Sequence, residues 1–294
     1  MESAAITLAA RGRTIDCSAR PLVMGIVNVN DDSFSGDGTL DMEAAWRLAA
    51  RQVADGADII DVGAESARTN RPPISVDEEI RRLRAFLELW QARAAGLAPR
   101  FADQLAPPLL SINTWRPEVA EAVLPLGGDL LNDLGALPDA RNAEICARHG
   151  AALLIMHSVG EPKVPHTHVQ YSGEGGVAGE VRRFFTEKIT LATGAGLARE
   201  ALVLDPGLDF AKQTEDNLRL IAQLSAFLDF GLPLLLPISR KTFIGQVLGL
   251  AEPVERDAGT IAALVAGQKR GAHIFRVHHA SAAAEVVRVV AACL

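Results

Sequence analysis

The chain is poor in the residues that build covalent or metal-bound frameworks. It has 3 cysteines in 294 residues, Cys17, Cys146 and Cys293, and no CxxC pair. An odd number at wide spacing suggests neither a disulfide framework nor a zinc site. A reducing cytoplasm is the expected compartment. Aromatic residues make up only 5% and are scattered, so a row of stacking platforms for nucleic-acid bases is not expected. Basic residues are outnumbered, 29 Lys and Arg against 36 Asp and Glu, for a net charge of -7. A general nucleic-acid surface wants the opposite balance. A small anionic substrate stays compatible, because a local Arg and Lys cluster can sit in an acidic protein. No stretch of about 18 apolar residues free of charge occurs. Residues 1–11 carry no apolar run long enough for a secretory signal, so no membrane partner is expected. The GxGxxG fingerprint of an open dinucleotide-binding sheet is missing after the first apolar run.

What is present is a large supply of core. Hydrophobic residues make up 49% and charged residues 22%, a composition that argues against disorder. Short apolar runs recur, each followed by polar or Gly/Pro residues and then a helical pattern. The runs are Pro21–Val27, Asp58–Val62, Leu109–Ile112, Asp129–Leu131, Ala151–Met156, Ala201–Leu204, Leu232–Ile238 and Ala272–Val277. Apolar strands without alternation suit a parallel sheet buried on both faces. Helical stretches between them are Asp41–Asp55, Val76–Ala95, Pro117–Val123, Asn142–Arg148, Gly179–Ala195, Glu215–Phe227, Ala258–Lys269 and Ser281–Ala292. In the first, Ala44, Leu48 and Val53 fall near one face. In the second, Ile80, Leu83, Phe86, Leu87 and Trp90 do so. Eight such units predict an α/β fold, a (β/α)8 TIM barrel formed by residues 1–294 as one domain, with an open doubly wound sheet as the alternative. Residues Ala4–Ser18 read as a short hairpin over one end.

A barrel of this kind keeps its active site at the carboxyl ends of its strands. The first run is followed by Asn28. The second carries Asp61, then Glu65, Ser66 and Arg68. The third gives Asn113, the fourth Asn132 and Asp133, the fifth His157 and the sixth Asp205. The seventh gives Ser239, Arg240 and Lys241, and the eighth Arg276 and His278. Any one of these could be a loop cap or a salt bridge. As a set they describe a pocket. Carboxamides beside a carboxylate can read the donor and acceptor edge of a heterocycle, while arginine and histidine can hold a phosphate or diphosphate.

The same residues lie in ordered motifs. These are MGIVNVNDDSFSGDG (Met24–Gly38), GADIIDVGAES (Gly56–Ser66), LSINTWRPEVA (Leu110–Ala120), LLNDLGALPD (Leu130–Asp139), LIMH (Leu154–His157), LVLDPGLDFAK (Leu202–Lys212), ISRKTFIG (Ile238–Gly245) and FRVHH (Phe275–His279). The set, one motif per strand end, resembles dihydropteroate synthases from about Pro21 to Val290. The resemblance implies a homodimeric (β/α)8 barrel. Its reaction joins 6-hydroxymethyl-7,8-dihydropterin diphosphate to para-aminobenzoate and releases pyrophosphate, with Mg2+ assistance. It further implies that Asn28 helps bind Mg2+ and the diphosphate, and that Arg68, Arg276 and His278 hold the diphosphate. Asn113, Asn132, Asp205 and Lys241 would hold the pterin. Ser66, Arg68, Phe210 and Thr242 would lie near the aminobenzoate, with Thr242 close to its carboxylate. Asp205, Lys241 and Arg276 are the residues expected to carry catalysis.

Four places depart from the family pattern. Asn113 stands where Asp is usual. The first loop reads Asn30-Asp31-Asp32 instead of Thr-Pro-Asp, and the second reads Ser66-Ala67-Arg68-Thr69-Asn70 instead of Ser-Thr-Arg-Pro-Gly. Asp209 replaces a Gly beside Phe210. Sulfonamides mimic aminobenzoate, so the loop changes keep a drug-insensitive synthase in view, and Asn113 keeps a non-catalytic pterin-binding paralogue in view. A pterin-binding methyltransferase would share the barrel but needs no diphosphate site, so Arg68, Arg276 and His278 count against it. His166 and His168 form an HxH without a third ligand nearby, and a surface loop is the expectation there. Arg81, Arg82 and Arg84 read as a solvated helix face, His279 as a surface side chain, and Asp133 as either an orienter of Asn132 or a helix cap.

Overall fold

The structure is a computed structural model that describes residues 5–30, 38–67, 72–164 and 169–293. It opens with an antiparallel hairpin, β1 (Thr7–Ala10) and β2 (Arg13–Asp16), in the register Thr7 to Asp16 through Ala10 to Arg13. Eight parallel strands follow: β3 (Leu22–Asn28), β4 (Ile59–Gly63), β5 (Leu109–Asn113), β6 (Leu130–Asp133), β7 (Ala152–Met156), β8 (Leu202–Asp205), β9 (Leu235–Leu236) and β10 (Ile274–Val277). Their order is β8-β7-β6-β5-β4-β3-β10-β9. The Leu204 to Leu234 bridge closes the ring, with Leu204 N donating to Pro233 O at 2.9 Å. The expected barrel is therefore the observed fold, and the open-sheet alternative falls.

The strands are short because each only crosses the barrel wall. All five residues of β4, IIDVG, are buried, since one face meets the barrel interior and the other meets helices. The helices are α1 (Met42–Ala54), α2 (Val76–Arg93), α3 (Pro117–Val123), α4 (Arg141–His149), α5 (Gly176–Gly194), α6 (Thr214–Ala222), α7 (Thr242–Leu248), α8 (Asp257–Gln268) and α9 (Ala280–Ala292). Local chemistry sets their ends. Asp41 caps α1 by accepting from Glu43 N and Ala44 N, Ser75 caps α2, and Pro117 takes the first position of α3, where its missing N–H costs nothing.

Three sequence expectations need correction. In α1 the buried positions are Ala45, Ala49, Gln52 and Val53, whereas Ala44 and Leu48 are half-buried. Arg82 is not solvated: it is buried at the inner edge of α2 and donates to Glu78 and to Ala64 O. The run Glu215–Phe227 divides into α6 and a 3-10 segment, Leu224–Phe230. The structure also adds α7, which at seven residues is too short to show a helical period in sequence.

The hairpin closes one end of the barrel. Arg11 N donates to Gly150 O at 2.7 Å. Its guanidinium donates to Gly128 O at 2.5 Å and to Leu124 O, while Arg13 reaches Pro107 O at 2.8 Å. Each acceptor lies just ahead of β5, β6 or β7, so the plugged end is the amino end. The carboxyl ends of the strands face the other way and carry the cavity. Among the described residues no helix is long and apolar enough to cross a membrane.

Candidate active site

A cavity of about 640 Å3 opens at the carboxyl ends of the barrel strands. Ten of the eleven expected residues line it: Asn28, Ser66, Asn113, Asn132, Asp205, Phe210, Lys241, Thr242, Arg276 and His278. The eleventh, Arg68, lies outside the described residues, as do His166, His168 and the Asp31-Asp32 pair. The rest of the lining includes Ile26, Leu134, Met156 and Pro237. This mix of an apolar wall and a few convergent polar groups is typical of a small-molecule site.

The floor is organised by a residue to which sequence reasoning assigned no role. Asp61, on β4, is fully buried. Its carboxylate accepts from Ser111 Oγ at 2.6 Å, from Asn132 Nδ2 at 3.2 Å, from Asn113 Nδ2 at 3.4 Å and from Arg276 Nε at 2.7 Å. A carboxylate can only accept, so both amides must present their NH2 groups to it. Their carbonyl oxygens are thereby turned the other way. Asn113 Oδ1 and Asn132 Oδ1 are buried and find no partner among the described residues. A buried carbonyl without a donor costs about 1–3 kcal/mol, so two of them in one cavity wall amount to a request for N–H donors from a ligand. The apolar runs that signal the strands say nothing about this hub. An Asp in the middle of an apolar run was the available signal.

Asp205 ends β8 and stands opposite. Its Oδ1 accepts Gly207 N at 2.7 Å. Gly207 has φ +69, and a Cβ there would lie 1.9 Å from His157 O, so only glycine makes this turn. Burial pushes the Asp205 carboxyl up to about 6, against the opposing pull of Gly207 N–H and of Lys241, Lys212 and Arg276. Behind it, Lys212 Nζ meets His157 Nδ1 at 2.8 Å. Burial and the nearby Lys212 push His157 down to about 3, and burial brings Lys212 down to about 7. A neutral imidazole therefore accepts from the ammonium through Nδ1.

Lys241 precedes α7. Its Nζ donates to Leu208 O at 2.8 Å and stands 5.0 Å from the centre of the Phe210 ring. Burial lowers its pKa, while Asp209 and Asp205 oppose the shift. His278 Nδ1 lies 2.8 Å from Ser239 Oγ, which fixes the ring at the end of β10. Asp209, with φ +66, reaches from the β8 loop to the start of α7. Its carboxylate accepts Thr242 N at 2.5 Å and Phe243 N at 3.4 Å. Asp133 accepts from Gly135 N and from Asn142 Nδ2, so it ties the next turn to the side chain of α4 and is neither an orienter of Asn132 nor a cap of the helix, whose N-cap Ala140 has no side-chain bond. His279 is exposed, with its ring beside Arg240 and Asp257.

The family model for pterin-binding enzymes matches residues 24–278. The chain belongs to this family, among the dihydropteroate synthases. It is 38% identical to the dihydropteroate synthase of Escherichia coli, over 98% of this chain and 96% of that protein. It is also 38% identical to a Mycobacterium tuberculosis relative described as inactive dihydropteroate synthase 2, over 92% of this chain and 82% of that one. Among solved structures, the dihydropteroate synthase of Xanthomonas albilineans in complex with 7,8-dihydropteroate superposes with a TM-score of 0.80 at 32% identity, covering 98% of both chains. Equal identity to a relative described as a dihydropteroate synthase and to one described as inactive means that the residues of the cavity, rather than the percentage, must argue for chemistry.

Proposed function

We propose that this chain is a working dihydropteroate synthase. It would join 6-hydroxymethyl-7,8-dihydropterin diphosphate to para-aminobenzoate in folate biosynthesis, giving 7,8-dihydropteroate and pyrophosphate. The observation that carries the proposal is the pair of unpaired carbonyl oxygens, Asn113 Oδ1 and Asn132 Oδ1, in one cavity with the Asp205 carboxylate and the cations Arg276 and Lys241. A pterin supplies ring N–H and NH2 donors to the two amides and to Asp205. Arg276 and His278, with Arg68, hold the diphosphate. Ser66, Phe210 and Thr242 flank the aromatic amine.

The arrangement separates charge in the sense that the reaction needs. The amine nitrogen forms a bond to the pterin methylene as the C–O bond breaks, and that bonding pair leaves with the diphosphate. The nitrogen then gives up its proton to water. Positive charge builds on the pterin and is favoured by Asp205, while negative charge builds on the leaving group and is favoured by Arg276. The amine is neutral at pH 7, so a strong general base is not required.

Mg2+ fits this site only in one way. Among the described residues no three His, Cys, Asp or Glu side chains gather to hold a metal, and the expected protein donor is the amide of Asn28 on the cavity wall. Such a donor set suits a cation carried mainly by phosphate oxygens and water. When bound, it would offset charge on the departing diphosphate.

Release of pyrophosphate by purified protein given both substrates tests the proposal. Tight pterin binding without release would favour a non-catalytic paralogue, the reading that the inactive M. tuberculosis relative keeps in play. We further infer a sulfonamide-insensitive form, because Asp209 changes the wall against which an aminobenzoate mimic would lie. Inhibition by sulfamethoxazole as tight as that of the E. coli enzyme would dispose of it. We place the protein in the cytoplasm, since Cys17, Cys146 and Cys293 are all free thiols. We take the barrel and hairpin as one domain that forms a homodimer.

A further inference from the structure

We propose that Lys212 is a positioning residue for the pterin site: its ammonium ties the loop that carries Asp205 to the end of β7 and keeps a positive charge behind the Asp205 carboxylate. The inference rests on the proposed pterin pocket and adds a residue from outside its lining, since Asp205 and Lys241 line the cavity and Lys212 is not among the lining residues. Three observations support it. First, Lys212 Nζ gathers acceptors from two elements. It meets His157 Nδ1 at 2.8 Å and His157 O at 3.4 Å, just past β7, and Phe210 O at 3.0 Å in its own loop. Second, these contacts lie against the Asp205 turn. His157 N donates to Asp205 O at 2.9 Å and Gly207 N donates to Asp205 Oδ1 at 2.7 Å. A Cβ on Gly207 would stand 3.4 Å from Lys212 Nζ. Third, the loop has a backbone that needs holding. Gly207, Asp209 and Ala211 have φ of +69, +66 and +53, and a positive φ is strained at a residue with a Cβ. Two ammoniums hold its carbonyls: Lys241, on the cavity wall, takes Leu208 O at 2.8 Å, and Lys212 takes Phe210 O.

The consequence for the pterin is electrostatic. Asp205 accepts N–H donors at both oxygens only as a carboxylate, and burial works against that form. Lys212 joins Lys241 and Arg276 as the cations that favour it. The groups around Lys212 are His157 past β7, Asp205 and Asp209 on its own loop, Asp216 of α6 and Lys241 ahead of α7. Tyr171, ahead of α5, donates its hydroxyl to Ala211 O at 2.9 Å. The closest of these partners, the His157 ring, is neutral. It gives the ammonium an acceptor without cancelling its charge, so the field of Lys212 still acts on Asp205. Burial brings Lys212 down to about 7, so it is mainly charged near pH 6, where Asp205 titrates.

Three variants separate charge from shape. Lys212→Met keeps the stem without charge or donors, Lys212→Gln keeps an N–H donor without charge, and Lys212→Arg keeps both. The readout is affinity for a pterin without phosphates, measured by calorimetry on the full chain between pH 5 and pH 8. In the parent, affinity is expected to fall as pH drops through about 6. Lys212→Met and Lys212→Gln are expected to move that midpoint up by at least about half a pH unit, because a cation beside a buried carboxylate is gone. Lys212→Arg is expected to keep the parent's midpoint. A merely structural role would weaken binding at every pH and leave the midpoint in place. An unmoved midpoint in the uncharged variants overturns the inference, as does a flat profile in the parent or a Lys212→Arg midpoint as high as that of Lys212→Met. If Lys212→Met does not fold, Lys212→Gln decides. A parent that binds pterin but releases no pyrophosphate defeats the proposed reaction and leaves this test intact, whereas a parent that binds no pterin defeats both.

Discussion

At the scale of single residues, Asp61 explains why two asparagines can act as oriented acceptors. Its carboxylate takes their NH2 groups and leaves their carbonyls for a ligand. Arg276 Nε, 2.7 Å away, balances that buried charge and also reaches the cavity. Arg276→Ala is therefore expected to do two things. It should lower kcat/KM by at least a hundredfold, by removing a cation that favours the leaving diphosphate. It should also cost about 2 kcal/mol of stability, because Asp61 loses its charged partner while Arg276 is itself only partly exposed. Steady-state assays with thermal unfolding check both, and unchanged kinetics in a folded variant would contradict the assignment.

Asp205 gives a second residue-level test. Its carboxyl is raised to about 6 by burial, so the ionised form that accepts pterin N–H donors is lost as pH falls through about 6. Affinity for a pterin without phosphates, whose own titration then does not interfere, is expected to fall over that range. A flat profile between pH 7 and pH 5 would count against the role. The stability effect has the opposite sense. A folded-state pKa above the ordinary 3.8 means that protonated Asp205 favours the fold. That contribution is present at pH below about 3.8 and is lost as pH rises through about 6.

At the scale of elements, the sequence made the barrel legible because its strands are short, mostly apolar runs and its first two helices carry their own caps, Asp41 and Ser75. The strand ends were legible too, since amides, carboxylates and cations recur at one position in each unit. Two kinds of feature were not legible. The capping of α7 by Asp209 and the gathering of donors on Asp61 join residues far apart in the chain, and no local period records such pairings. Nor could periodicity show that Arg82 is buried, because one helical turn of charge looks the same whether it faces water or Ala64 O. The hairpin offers a test that separates stability from chemistry. Arg11 ties it to Gly128 O, Leu124 O and Gly150 O at the amino end, away from the cavity. Arg11→Ala is expected to cost about 1–3 kcal/mol by leaving carbonyls unpaired, seen as a lower Tm, with kcat and KM unchanged. A large fall in kcat without a loss of stability would show that the two ends of the barrel are coupled.

At the scale of the whole molecule, one face is unlike the rest. Leu218 on α6, Val247 and Leu248 on α7, and Val254 just before α8 are 44%, 57%, 49% and 56% exposed. Alongside runs an apolar groove of about 350 Å3 between α6, α7 and α8. Single exposed apolar residues are ordinary, but several on adjoining helices make this the face on which the proposed homodimer is expected to form. A two-fold homodimer is the simplest way to cover it, since the same patch serves both copies. A chain of 31.2 kDa should then sediment at twice that mass. Val247→Asp would place a carboxylate on this face in a protein that already carries a net charge of -7, and would bury it twice in the dimer. The variant is expected to sediment as a single chain with its circular dichroism unchanged. A parent protein that is monomeric at micromolar concentration would remove the homodimer from the proposal, whereas a Val247→Asp dimer would move its interface to another face. Because α7 begins at the cavity and ends on this face, dissociation is expected to affect the amine more than the pterin, through the position of Thr242.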